Sequence, residues 1–285
     1  MLDTIINIIL ELAIPWAVLI LNVLHIPRTV KQIVVAGEYF KLVSPSDFKS
    51  QWFANFWATI GPEVKESYRP HVEALLQGRF KDGRIHDDVV CEPISGVVLE
   101  VGAGNGAWMD VLAGSVHVDS APRGAISRVA SGVNRRAADG QTASLGSTPS
   151  AYARPEGQIT KIYGIEPNPS FITPLRKRVR ELHLGGIYQV IPAGIDELIS
   201  PDRRRDSIPE GSIDSIVCIC CLCSIPNPEE NIKILYRLLK PGGRWYIHEH
   251  VKASRGGLLL RAYQCKSTFP LAAHTFEQWA MGMTI

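Results

Sequence analysis

Val97-Val98-Leu99-Glu100-Val101-Gly102-Ala103-Gly104-Asn105-Gly106 decides how this chain folds. A short apolar run with high strand preference enters a turn with glycine at every second position. Glycines let the backbone turn tightly into a helix and approach a ligand closely. Working outward, further strands are expected at Lys161–Glu166, Ile187–Ile191, Ile213–Cys223 and Arg244–His250. Between the last two, Asn231–Leu239 reads as a helix with apolar positions at Ile232, Leu235, Leu238 and Leu239, ended by Lys240-Pro241-Gly242-Gly243. Alternating strands and helices of this kind predict an α/β domain, with a parallel sheet covered on both faces.

The turn alone leaves its ligand open. Gly102, Gly104 and Ala107 also satisfy the loose dinucleotide pattern G-x-G-x-x-G/A, so a nicotinamide-dependent oxidoreductase is a rival reading. Three features favour an S-adenosylmethionine site. An acid, Glu100, precedes the glycines at the strand end. Glu166 ends the second strand, where a carboxylate can accept hydrogen bonds from both hydroxyls of a ribose. Leu239-Lys240-Pro241-Gly242-Gly243 punctuates the approach to the fifth strand.

Leu99–Gly106, Gly164-Ile165-Glu166-Pro167-Asn168-Pro169 and Leu238–Gly243 together resemble the class I S-adenosylmethionine-dependent methyltransferases. Val217–Ser224 and His248-Glu249-His250-Val251 are similar to the membrane-anchored methyltransferase-like family that includes alkyl-thiol methyltransferases. The resemblance covers roughly Val97 to Val251 apart from an insert. It implies a Rossmann-like, mostly parallel sheet flanked by helices, with S-adenosyl-L-methionine as cofactor. It further implies that Glu100, Gly102, Ala103, Gly104, Asn105 and Gly106 line the methionine part. Glu166 would hold the ribose with Asn168 close by, Gly194 and Ile195 would flank the adenine, and Cys221 to Ser224 would face the methyl group. His248, Glu249 and His250 are candidate catalytic groups for an amine or hydroxyl acceptor. A thiol acceptor needs little help, because a thiolate is intrinsically reactive. Strand alternation puts both histidines on one face and Glu249 on the other.

Composition sets the outer limits. The chain has 285 residues, 46% apolar and 20% charged, which excludes disorder throughout. Thirty basic against 28 acidic residues leave a net charge of +2, so no nucleic-acid partner is expected. Four of the six cysteines crowd into Cys218–Cys223. Alternate strand residues face opposite ways, so these thiols cannot converge on one ion, and no metal is expected. Buried reduced thiols are the better account.

The N-terminus carries Ile5–Leu24, a 20-residue run in which only Asn7, Glu11 and Asn22 are strongly polar. Its length matches a hydrocarbon core of ~30 Å. Its branched aliphatics contribute about −5 kcal/mol, exceeding the ~3 kcal/mol cost of one central acid. A membrane helix over 1–27 is therefore expected, with the lipid bilayer as a partner. Arg28 and Lys31 follow the run, which puts the remaining chain in the cytosol. The membrane expected is that of the endoplasmic reticulum or a lipid droplet. Thr4, Asn7, Glu11, Asn22 and His25 nonetheless share one narrow helical arc. That arc also suits a helix lying in the interface or packed on a partner.

Residues 28–92 read as a helical lead-in. Ser44-Pro45 is a helix start, and Trp52, Phe53, Phe56 and Trp57 form one aromatic face, either a lid over an apolar substrate or simply core. Residues 93–285 form the cofactor-binding domain. Within it, 115–158 is rich in Ala, Ser, Gly and Arg, lacks any sustained period, and is expected to be a disordered insert. It separates Gly104 from Glu166 by 62 residues, against ~20 in an ordinary βαβ unit. After His250 no convincing strand pair follows, so the C-terminal end of the sheet is expected to be incomplete.

The leading functional expectation is a methyltransferase acting on a small or lipophilic thiol, amine or hydroxyl acceptor, in secondary-metabolite biosynthesis or thiol detoxification. A non-catalytic relative that binds cofactor or membrane is the alternative outside enzymology.

Overall fold

The computed structural model describes residues 2–115, 158–199 and 207–249. The expected insert, the chain after Glu249 with the expectation of an incomplete sheet end, and His250 therefore lie outside the described residues.

A long helix α1 (Leu2–Val35) leads into a single turn α2 (Phe40–Val43) and the 32-residue α3 (Pro45–Leu76). Ser44 caps α3 by accepting from the Asp47 N–H at 3.5 Å, with Pro45 in the first turn, as the Ser-Pro signal foretells. A small hairpin follows, β1 (Phe80–Lys81) and β2 (Arg84–Ile85). Its turn residues Asp82 and Gly83 both have positive φ. Asp-Gly is the sequence signal for such a turn, and the reading of this region as purely helical missed it.

The main elements are β3 (Gly96–Val101), α4 (Met109–Gly114), β4 (Ile159–Ile165), α5 (Pro169–Glu181), β5 (Tyr188–Ile191), β6 (Ile213–Ile219), α6 (Pro228–Leu238) and β7 (Leu239–His248). The five larger strands form one parallel sheet ordered β5-β4-β3-β6-β7. The first of them in sequence is central, and the chain winds outward in both directions from it. A doubly wound sheet of this Rossmann-like kind opens a crevice at the strands' carboxyl ends, where the winding reverses beside β3.

Strand alternation divides the core between two faces. Val98, Ile162, Val217 and Ile219 pack against Val72 and Leu76 of α3, Met109 and Leu112 of α4, and Leu175 of α5. Leu99, Ile165, Ile216 and Cys218 pack on the opposite face against Leu235 and Leu238 of α6 and Ile195 and Leu198 of the β5–β6 connection. Cys218 is thus a small core residue, and Trp245 Nε1 donates to its sulfur at 3.0 Å.

The expectation of a spanning helix over Ile5–Leu24 rests mostly on side chains that lie outside the described ones. Among the described residues no helix is long and apolar enough to cross a membrane. The described side chains of α1 make it two-sided. Asn22, His25, Thr29 and Ile33 are buried at helical spacing. Trp52 Nε1 donates to Asn22 O at 2.8 Å, and Asn55 Nδ2 donates to Thr29 Oγ1 at 2.9 Å. His25 Nε2 lies 2.9 Å from Thr59 Oγ1. At Asn22 and His25 the polar arc read from the sequence is the seam between α1 and α3. Ile20, Val23, Leu24, Val34 and Val35 of α1, with Tyr39, Phe40 and Val43 beyond it, remain exposed.

Candidate cofactor site

Three strand ends build the site. After β3 the turn holds Gly102, Gly104 and Gly106 at φ of 66°, 55° and 81°. This left-handed region strains any residue with a Cβ. At Gly102 a Cβ would also come within 2.7 Å of the Cys221 Cβ, so the β3 and β6 ends could not approach as they do. After β4, Glu166 is buried and receives two backbone donors. Gly104 N–H reaches Oε2 and Asn168 N–H reaches Oε1, each at 2.8 Å. One lone pair on each oxygen remains, which is the arrangement that accepts two neighbouring hydroxyls. Burial raises the Glu166 pKa, against the two N–H groups that lower it. Asn168 caps α5 by accepting from Ser170 N–H, and its amide donates to Ser50 O at 3.1 Å.

These pieces border a cavity of about 590 Å³. Its floor includes Gly102, Ala103, Gly104, Glu166, Asn168, Gly194, Ile195 and Cys221. Eight of the expected cofactor contacts thus meet in one cleft. Glu100, Asn105 and Gly106 are not part of the lining. Glu100 is buried one layer down, accepting a hydrogen bond from Tyr188 Oη at 2.5 Å. Burial pushes its carboxyl up to about 7, the Tyr188 hydrogen bond opposing.

The opposite wall is α3. Ser46, Lys49, Ser50, Phe53 and Trp57 face the cleft. The Phe53 ring stacks on Trp57 with centroids 6.3 Å apart and meets Phe171 edge-on at 5.9 Å. Lys65 and Arg69 fasten the helix to Asp110 of α4 at 2.6 and 2.9 Å. The expected aromatic face is therefore divided: Phe53 and Trp57 cover the cleft, while Phe56 is buried beside His25.

At the far end the cleft runs along the turn after β6, past Cys220, Cys221, Ser224, Ile225, Pro226 and Asn231. Neither His248 nor Glu249 lines it. The His248 ring lies 4.9 Å from that of Tyr68 and 6.3 Å from that of His71. Glu249 Oε1 accepts the N–H groups of Cys221 and Leu222 at 2.8 and 2.9 Å. Burial raises the thiols of Cys220 and Cys223, the latter to about 12, and the Glu249 carboxylate adds to both shifts. Among the described residues no group of three or more His, Cys, Asp or Glu could hold a metal ion.

A doubly wound sheet, a glycine turn at the end of its central strand and a carboxylate placed for a ribose at the next are the features of a class I S-adenosylmethionine-dependent methyltransferase, shared in part with dinucleotide-binding folds. A family model described as a methyltransferase domain matches residues 65–284, and the chain belongs to that family. It is 37% identical over 90 residues to the thiol S-methyltransferase TMT1A of Homo sapiens, covering 31% of this chain and 34% of that one. It is 30% identical over 101 residues to the thiol S-methyltransferase TMT1B of Rattus norvegicus, covering 35% and 38%. The matches thus span about a third of the length of those relatives. A solved S-adenosylmethionine-dependent methyltransferase from Aquifex aeolicus aligns at a TM-score of 0.34 and 17% identity, over 56% of this chain and 60% of that one.

S-adenosyl-L-methionine is the cofactor of this family, and the residues of the cleft suit it. Glu166 offers one acceptor to each ribose hydroxyl, the open backbone at Gly102 and Gly104 admits a ligand against the turn, and Ile195 supplies an apolar surface for a flat base. When bound, the sulfonium supplies an activated methyl group.

Proposed function

We propose that the chain transfers a methyl group from S-adenosylmethionine to a small, lipophilic acceptor, and that the acceptor atom is a thiol sulfur. The observation that carries this reading is the lining of the cleft beyond Cys221. Ile225 and Pro226 make it apolar, Phe53 and Trp57 cover the cleft from α3, and among the described residues no histidine borders it. An amine or hydroxyl acceptor calls for a base within reach. A thiol ionises near pH 8.5 and attacks as the thiolate without one. The names of the relatives agree with that choice. The protein's part is to bind, align and exclude water: Glu166 and the glycine turn fix the donor, and α3 closes over it.

A second element of the proposal concerns location. The exposed apolar side chains of α1 and α2, flanked by Arg28 and Lys31, suit the surface of a lipid bilayer, met by a helix lying in the interface. This face adjoins the start of α3, so a lipophilic acceptor would enter from the membrane side.

The test is transfer of an isotopic methyl group to matched thiol, amine and phenol acceptors. Methylation of the thiol alone is expected. Transfer only to the amine or phenol would overturn the acceptor assignment, and cofactor binding without any transfer would favour a non-catalytic relative.

A further inference from the structure

Glu249 is a carboxylate placed behind the cleft wall, with one of its two oxygens taking the hydrogen bonds from Cys221 and Leu222. It follows the last residue of β7 and is 7% exposed. Oε1 takes both backbone N–H groups of the turn after β6. Oε2 is buried and has no hydrogen-bond partner among the described residues. No ion pair among the described residues engages Glu249. Burial raises its pKa, and the N–H groups of Cys221, Leu222 and Cys223 with the Cys221 thiol offset only part of that cost.

The strand order says what faces it. Neighbouring strands lie about 4.8 Å apart. Passing across the sheet, the cleft meets Ile195 after β5, Glu166 after β4, Gly102 and Gly104 after β3, and Cys220 and Cys221 after β6. S-Adenosylmethionine is a linear molecule of base, ribose and sulfonium. A ribose on Glu166 with its base toward Ile195 leaves the sulfonium over β3, one strand from the turn that Glu249 holds. Resting on the cofactor reading above, we infer that Glu249 is a positioning and charge-selecting residue: it pins the Cys221–Leu222 turn and favours the cationic methyl donor over the neutral thioether product. Discrimination of this kind would help the product leave after each turnover.

The experiment is calorimetric titration of the full chain with S-adenosylmethionine and S-adenosylhomocysteine, for the parent and Glu249→Gln. The amide keeps an oxygen for the two N–H groups and removes the charge. The expected result is about a tenfold loss of preference for the sulfonium over the thioether in the variant, with thioether affinity held within about twofold. The methyl group itself is common to both proteins, so its contribution cancels in the ratio. A purely structural role would weaken both ligands alike, and an unchanged ratio overturns the inference. Should the variant not fold, sinefungin, whose cationic amine stands in for the sulfonium methyl, is compared with the thioether on the parent. Several-fold tighter binding of the cation is expected, and equal affinities overturn the proposal. If the parent binds neither molecule, the cofactor reading fails first and this inference with it.

Discussion

Tyr188 donates its hydroxyl proton to Glu100 across the width of β4, from one edge strand to the central one, at 2.5 Å. The side chain crosses directly over Gly164, whose register partner is Glu100. A Cβ at Gly164 would lie 2.0 Å from the Tyr188 oxygen. The glycine of Tyr163-Gly164-Ile165 is therefore a clearance for this hydrogen bond. Gly164→Ala is expected to lower stability by roughly 2–4 kcal/mol, by displacing the ring and stranding a buried acid. Tyr188→Phe, which removes only the donor, should cost about 1–3 kcal/mol. Urea denaturation measures both, and a Gly164→Ala protein as stable as the parent would contradict the crossing.

The same carboxyl makes stability depend on pH. Burial, opposed by Tyr188 and aided by Glu166, raises Glu100 from 4.5 to about 7. The folded chain thus keeps a proton that the unfolded chain releases. The contribution is fully present below about pH 4.5 and is lost as pH rises to about 7. Glu166 and Glu249, both raised by burial, act in the same direction. A decline of about 3 kcal/mol between pH 5 and pH 8 is expected from Glu100. Glu100→Gln should flatten most of it. A parent whose unfolding free energy stays level over this range would show Glu100 ionised in the fold.

What the sequence made legible was local. The glycine turn, the acid at the end of β4 and the Ser-Pro helix start each announce themselves within a few residues. Most of the larger strands fell within a few residues of their expected positions because apolar runs bounded by turn residues are short-range patterns, but β7 begins at Leu239 and takes in Lys240-Pro241-Gly242-Gly243, which had read as a turn. Glu249 was harder. Its expected direction came from strand alternation, but β7 ends at His248, so the pleat no longer dictates where the next side chain points. The roof of the cleft was harder still. Lys49 and Ser50 are separated from Asn168 by more than a hundred residues, and only folding shows that the Asn168 amide reaches Ser50. The polar arc of α1 was visible, but a periodic stripe does not say whether protein or lipid will cover the opposite face.

Glu166 is the residue on which donor affinity is expected to turn. Its two oxygens are oriented by Gly104 and Asn168, so the acceptor pair is preset before a ribose arrives. Glu166→Gln replaces one acceptor by a donor and removes the charge. Hydrogen bonds to a charged group contribute about 1.5–3 kcal/mol each, so a loss of at least tenfold in cofactor affinity is expected. Calorimetry reads this directly. A variant that folds and binds normally would place the ribose elsewhere.

Asp110 ties the roof to the sheet. It receives Lys65 and Arg69 of α3, and these cations outweigh the effect of its burial and hold its carboxyl below the usual value. The stabilisation is present above the ordinary carboxylate pKa and fades as pH falls through the lowered one. The pairs are partly exposed, so Asp110→Asn should cost only about 1 kcal/mol globally. Its larger effect is expected on α3, as faster proteolysis within 45–76 and weaker cofactor binding. Unchanged cleavage would mean that the aromatic contacts alone hold the roof down.

Side chains that lie largely in solvent test the membrane face. Val35 is 78% exposed and Val43 84%, on either side of Tyr39 and Phe40. Withdrawing such a side chain from water contributes roughly 1–2 kcal/mol. Replacing Val35 and Val43 together by Glu removes that gain and adds two charges that repel an anionic surface. Partitioning to vesicles containing anionic lipid is expected to fall at least tenfold. The cofactor cleft lies on the other side of α3 from the α1 seam, so affinity for S-adenosylmethionine should not change. Vesicle binding equal to the parent would remove this face from any membrane role. A fall in cofactor affinity would show that the lead-in helices and the cleft are coupled through α3, by way of the Asn55–Thr29 and Trp52–Asn22 hydrogen bonds.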